Sequence, residues 1–176
     1  MTTANINDFK ANILGGGARA NQFSVSLNPP SGITTGLVPF TANFMVKAAA
    51  LPGQTITEIP INFRGRQLFI AGDRTFETWT TTILNDTDFA IRNAMERWMS
   101  GINDLETSIG VTDMLEYTSD IIVRQLDRDD SILKSYVLKT CWPTAIAPID
   151  LNMDTVSEIE TFDVTWRYTS FSASSV

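Results

Sequence analysis

The chain has 176 residues, of which 43% are hydrophobic and 19% charged. That length fits one domain with a sizeable core, and the composition excludes a disordered chain and a membrane protein. With 20 acidic and 13 basic side chains the net charge is −7, which argues against a protein that grips nucleic acid by neutralising phosphates. An acidic wall would instead repel a passing duplex, although solubility alone is sufficient reason for such a charge. There is no histidine, so His-dependent triads, general bases and zinc sites are excluded. Cys141 is the single cysteine, which rules out an internal disulfide and a thiolate metal cluster; its place in a strand-like run predicts a buried thiol.

The opening MTTANINDFK has no basic segment followed by an apolar one, and no apolar run approaches the ~20 residues needed to span a bilayer. The expectation is a protein that folds in a cytoplasm. Residues 7–14 are weakly helical and run into Gly15-Gly16-Gly17, so residues 1 to about 20 read as a mobile arm. No preceding strand, Lys-Ser/Thr pair or GxGxxG spacing supports a phosphate loop there. Residues 22–28 alternate, with Phe23, Val25 and Leu27 on one face, which predicts a strand with one face in the core. Pro29-Pro30-Ser31-Gly32 ends it and opens a loop to about Pro39. Alternation resumes over residues 40–48 through Ala42, Phe44 and Val46, and Leu51-Pro52-Gly53 turns the chain. Ile59, Ile61 and Phe63 alternate with polar neighbours, Arg64-Gly65-Arg66 interrupts, and Leu68 and Ile70 resume, which predicts a bend or tight hairpin at Gly65. Gly72-Asp73 reads as a second turn and residues 75–84, rich in Thr, Phe, Trp and Ile, as a third strand.

After Leu84 the period changes. Ile91, Met95, Trp98 and Ile102 recur at helical spacing, predicting an amphipathic helix over about 88–100, capped by Asn85 or Asp86 and ended by Gly101. Residues 103–119 show no strong period and read as a loop. Residues 120–126 and 131–141 read as a long hairpin whose charged tip is Asp127-Arg128-Asp129-Asp130. Two of those acids are spaced like calcium ligands, but the central Gly and distal Glu of an EF-hand are missing, so a solvated turn is expected. Trp142-Pro143 is expected to break the ladder, with residues 146–151 as a short edge strand. Residues 158–169 place Phe162, Val164, Trp166 and Tyr168 on one buried face and read as a single strand ~40 Å long. The tail, about residues 170–176, is small and polar, and reads as mobile unless it docks on another subunit.

Several short motifs carry a family resemblance. Ala50-Leu51-Pro52-Gly53, Ile59-Pro60, Phe63, Arg66, the run Ala71-Gly72-Asp73-Arg74-Thr75-Phe76, Trp79-Thr80 and Asn85-Asp86 resemble the tail tube protein of contractile-tailed (myovirus-type) bacteriophages. Ile122, Gln125, Trp142-Pro143-Thr144, Glu158-Ile159, Thr161-Phe162 and Val164-Thr165 follow in the order seen in that family. The similarity extends over roughly residues 21–169.

The residues predict a single β-rich α+β domain, an antiparallel β-sandwich or partly open barrel with a long hairpin and one helix. No catalytic, cofactor or metal residue stands out, and an enzyme is not expected. The resemblance implies a virion protein, made in the host bacterial cytoplasm, that forms hexameric rings. Long hairpins would join into an inner β-barrel, and rings would stack into a tail tube. The implied partners are further copies of the chain, the tail sheath, a baseplate tube-initiator, the tape-measure protein, and DNA passing without specific binding; no stable membrane association is implied. Gly72, Asp73, Arg74, Thr75, Phe76 and Trp79 are read as architecture, a turn pinning two strands. Gln54, Glu58, Asp127, Asp129 and Asp130 are candidates for ring-to-ring or sheath contacts, and polar hairpin faces for the lumen. Two alternatives stand beside this: a tube-initiating baseplate protein or type VI secretion-like ring subunit, and, from another class, a monomeric ligand-binding β-sandwich.

Overall fold

The computed structural model describes residues 5, 6, 10, 11, 17–37, 42, 43 and 45–175. In chain order its elements are β1 (Phe23–Ser26), β2 (Val46–Ala49), β3 (Thr55–Phe63), β4 (Arg66–Thr75), β5 (Trp79–Leu84), α1 (Ala90–Ile102), α2 (Met114–Tyr117), β6 (Ser119–Leu126), β7 (Ile132–Ile146), β8 (Thr161–Arg167) and β9 (Ser170–Ser175). Most of the expected N-terminal arm, and residues 40, 41 and 44 of the expected strand 40–48, lie outside the described residues; of the rest, Ala42 and Asn43 are helical and the strand begins only at Val46.

Among the described residues seven strands form one antiparallel sheet in the order β1-β6-β7-β8-β5-β2, with β9 also paired to β7. The length of β7 explains this arrangement. Its first half lies between β6 and β9, through pairs such as Ile121↔Leu138 and Leu138↔Phe171, and its second half pairs with β8. The sheet turns a corner where these partners change. Thr140 has a positive φ of 52, its hydroxyl donates to Thr169 Oγ1 at 2.6 Å, and the Thr169 N–H donates to the Lys139 carbonyl at 3.1 Å. On one side of the corner Val25, Ile121, Val123 and Leu138 point inward. On the other Trp79, Ile83, Phe162, Val164 and Trp166 do, and all join one buried cluster. The result is the expected antiparallel sandwich, a partly open barrel with one long helix against it.

Four expectations are corrected around the corner. The single strand over 158–169 is shorter, as β8, and resumes after Tyr168-Thr169 as β9. The tail is therefore a ladder strand, paired from Lys139↔Ser170 to Lys134↔Ser175, held by Phe171 packing on the rings of Phe76, Tyr136 and Tyr168. Trp142-Pro143 does not end β7. Past Cys141 that strand has β8 as its partner, and a register shift between Pro143 and Ala145 accommodates the missing proline donor. Residues 148–160 then form a loop instead of an edge strand.

α1 buries Ile91, Ala94, Met95 and Trp98, the face that the 3.6 period predicts. Its start differs from expectation. The N-cap is Phe89, with a left-handed φ of 54, and the N–H of Ala90 is taken by Asp88 Oδ1 at 3.1 Å; Asn85 and Asp86 lie too early to reach it. Gly101 lies inside the helix, where an added Cβ would come within 2.6 Å of the Ile33 side chain. It is a glycine of close approach. The described part of the expected 29–39 loop, residues 29–37, thereby acquires a role: Ile33 lies on α1, the Gly32 N–H donates to the Glu116 carbonyl at 2.8 Å, and Thr35 and Leu37 are buried. Within the expected loop 103–119 the short α2 begins where Asp113 accepts the Leu115 N–H. It is tied to α1 by the Trp98 indole, which donates to the Tyr117 carbonyl at 2.7 Å and meets the Trp166 ring edge-on at 5.5 Å between centroids. Cys141 is fully buried, and burial pushes its thiol up to about 12.

Candidate assembly interface

β3 and β4 form a separate two-stranded sheet outside the main one. Phe63 pairs with Arg66, so the turn is the two-residue Arg64-Gly65, with φ of 47 and 81. This is the type I′ signature that favours glycine at its second position and matches strand twist. Cross-strand partners share a face. The pairs Ile59↔Ile70, Ile61↔Leu68 and Phe63↔Arg66 therefore gather Ile59, Ile61, Phe63, Leu68 and Ile70 on one face. The alternate pairs Glu58↔Ala71, Pro60↔Phe69 and Asn62↔Gln67 make the other face more polar. The apolar face is uncovered: Ile61 is 43% exposed and Phe63 67%. Two strands alone are marginal in water, and an uncovered apolar face with free edges marks a site of association.

The root of this hairpin is held firmly. Trp79 Nε1 donates to the Ala50 carbonyl at 2.6 Å, and the Tyr168 hydroxyl donates to the Gly53 carbonyl at 3.3 Å. On the other strand Phe76 packs on Tyr168 and Phe171. Burial raises the Tyr168 phenol above its ordinary range.

The expected turn at Gly72-Asp73 is absent; both residues lie within β4. The register shifts between Ile56 and Glu58, so that Gly72 and Asp73 oppose Thr57 in a bulge. The Thr57 hydroxyl donates to the Asp73 carbonyl at 3.0 Å. A Cβ on Gly72 would lie 2.7 Å from Thr57 Oγ1 and 3.0 Å from its carbonyl oxygen. Glycine here signals close backbone approach, not reversal of the chain. Arg74 and Thr75 complete β4, Phe76 and Trp79 anchor its root, and Asp73 contributes its main chain.

Of the candidate contact residues, Gln54 stands just before β3 and Glu58 on the polar hairpin face. Asp127, Asp129 and Asp130 form the β6–β7 turn, Asp127 half-buried and the other two exposed. The structure thus divides them between two places. In the turn, Asp127 Oδ1 accepts from the Arg128 N–H, and Asp129 Oδ1 accepts from the hydroxyl and N–H of Ser131. These bonds, the hydroxyl's first, hold the Asp129 carboxyl below its ordinary range. The acids serve the turn itself, and among the described residues no group of three potential ligands converges on a metal position.

Sequence reasoning missed a second exposed apolar segment. Leu151, Met153, Val156 and Ile159, in the loop 148–160, are 70% to 101% exposed. Their irregular spacing carries no period, so composition was the available signal: these four and Ile149 among four acids, Asp150, Asp154, Glu158 and Glu160, with no base.

A family model described as phage tail tube protein matches residues 18–174. Tail tube protein gp19 of Enterobacteria phage T4 is 37% identical over 123 residues, covering 69% of this chain and 76% of that protein. The tail tube protein of Serratia phage KSP90 is 26% identical over 167 residues, 94% of each. Among solved structures, a chain of the anti-feeding prophage baseplate superposes with a TM-score of 0.66 at 12% identity, covering 92% of this chain and 98% of that one. A chain of the extended sheath–tube complex of an extracellular contractile injection system gives 0.57 at 12% identity, covering 94% and 97%. At these identities the structural likenesses establish the shared fold.

Proposed function

Because the chain belongs to the phage tail tube protein family, we propose that its subunits close into hexameric rings and that the rings stack into a hollow tube inside a contractile sheath. The protein is a structural component of the virion tail, not an enzyme. The observation that carries the assembly is the β3–β4 hairpin, anchored at its root, with one uncovered apolar face and two free strand edges. Neighbouring hairpins joined side by side complete those edges and make an inner barrel. β4 contains no proline and keeps every donor on its edge; β3 loses one at Pro60. With apolar faces packed outward on protein, the polar faces bearing Glu58, Asn62 and Gln67 line the lumen, where DNA passes without specific binding. Ring closure is cyclic, whereas contact between unlike ends does not close and propagates as a tube. The sheath, a baseplate initiator and a tape-measure protein are the partners such a tube requires, and no stable membrane association is part of the reading. Gln54 and the acids of the β6–β7 turn remain candidates for ring-to-ring or sheath contacts, and Glu58, on the lumen side, for ring-to-ring contact only.

Negative-stain electron microscopy at rising concentration, with mass by light scattering, tests this. Rings or hollow rods of uniform width are expected, either spontaneously or on a supplied baseplate template. Monomers under both conditions would overturn it.

A further inference from the structure

The hairpin and the loop 148–160 leave opposite ends of the same pair of strands. β4 leads through residues 76–78 into Trp79, which pairs with Trp166; the loop leads into Thr161, which pairs with Leu84. The six residues of β5 separate these ends by roughly 20 Å. Both ends of the loop are fastened. The Ala147 N–H donates to the Asp163 carbonyl at 2.8 Å, Arg92 Nη1 donates to the Ala147 carbonyl at 3.2 Å, and the Asn85 amide donates to Glu160 Oε2 at 2.9 Å. Between those points Leu151, Met153, Val156 and Ile159 stand in solvent among acids. The hairpin tip is its complement in charge and its like in polarity: Arg64 and Arg66 flank Gly65, beside the exposed Phe63 and Leu68.

We propose that the acidic apolar loop 148–160 of one subunit receives the basic apolar hairpin tip of a second copy of this chain. The contact rests on the tube reading and specifies its stacking surface. Apolar residues on both sides lose water, and Arg64 and Arg66 meet Asp154 and Glu158. Because donor and acceptor surfaces lie at opposite ends of β5 and β8, each subunit offers one of each, and the contact repeats without closing.

Charge exchange tests it. Asp154→Lys with Glu158→Lys, and separately Arg64→Glu with Arg66→Glu, place like charges together, and each is expected to raise the concentration needed for rods at least about tenfold. All four substitutions in one chain restore opposite charge and are expected to return that concentration to near the wild-type value. Leu151→Ser with Val156→Ser, at positions exposed in the monomer, is expected to weaken assembly without lowering the thermal midpoint of the unassembled subunit. Wild-type rods together with loop variants that assemble equally well, or a fourfold variant worse than either pair, would overturn this contact and leave the tube reading standing. Wild-type chains that stay monomeric even on a baseplate template would remove both.

Discussion

Gly72 shows how a residue's meaning depends on what lies across the strand. A glycine followed by Asp reads locally as a turn, yet here it allows β4 to approach Thr57 within a bulge. The bond that holds the bulge reaches the Asp73 main chain, so the critical side chain is the absent one at position 72. Gly72→Val is therefore expected to distort the hairpin and raise the concentration for assembly at least about tenfold, while the monomer's circular dichroism and melting midpoint stay unchanged. Asp73→Ala, which keeps that carbonyl, should assemble far better than Gly72→Val. Side-by-side light scattering of the two variants checks the assignment, and equal assembly would contradict it.

At the scale of elements, α1 and the hairpin are opposites. The helix buries one face completely, and Trp98 joins it to both α2 and the sheet through a hydrogen bond and an edge-on contact with Trp166. Trp98→Ala leaves a cavity and an unsatisfied Tyr117 carbonyl, and should cost about 3–5 kcal/mol in denaturant unfolding. The hairpin has equally regular alternation but, among the described residues, packs on nothing beyond its root. Its amides should exchange rapidly with deuterium in the monomer and become protected in assembled tubes, while those of β6 and β7 are protected in both states. Protection of the hairpin in the free monomer would contradict its role as an element completed by neighbours.

For the whole molecule, a bent sheet provides a rigid body whose two ends differ. One end carries the hairpin root, the other the loop 148–160, and the strands between hold them at fixed separation. The interior is well satisfied: among the described residues no buried side-chain polar atom lacks a hydrogen-bond partner. Apolar surface is left over at both ends, on the hairpin and on the loop 148–160, and also at Leu105, Ile109 and Leu115; the uncovered hairpin suits a subunit that must be soluble alone and cohesive in a tube.

Much of this was present in the chain itself. The alternation of Phe162, Val164, Trp166 and Tyr168, the helical spacing of Ile91, Met95 and Trp98, and the bend or tight hairpin at Gly65 follow from local periods and backbone sterics, which need no knowledge of neighbours. The corner at Thr140 and Thr169, the continuation of β7 through Pro143 and the pairing of β9 depended on which strand lay alongside, because a ladder's partners come from distant sequence. The same limit applied to the interface. Ile59, Ile61 and Phe63 display the pattern of a buried face, and periodicity reports that a face is apolar without saying what covers it. Only the tertiary structure shows that none of the described residues of this chain covers that face, which the proposed assembly gives to another copy.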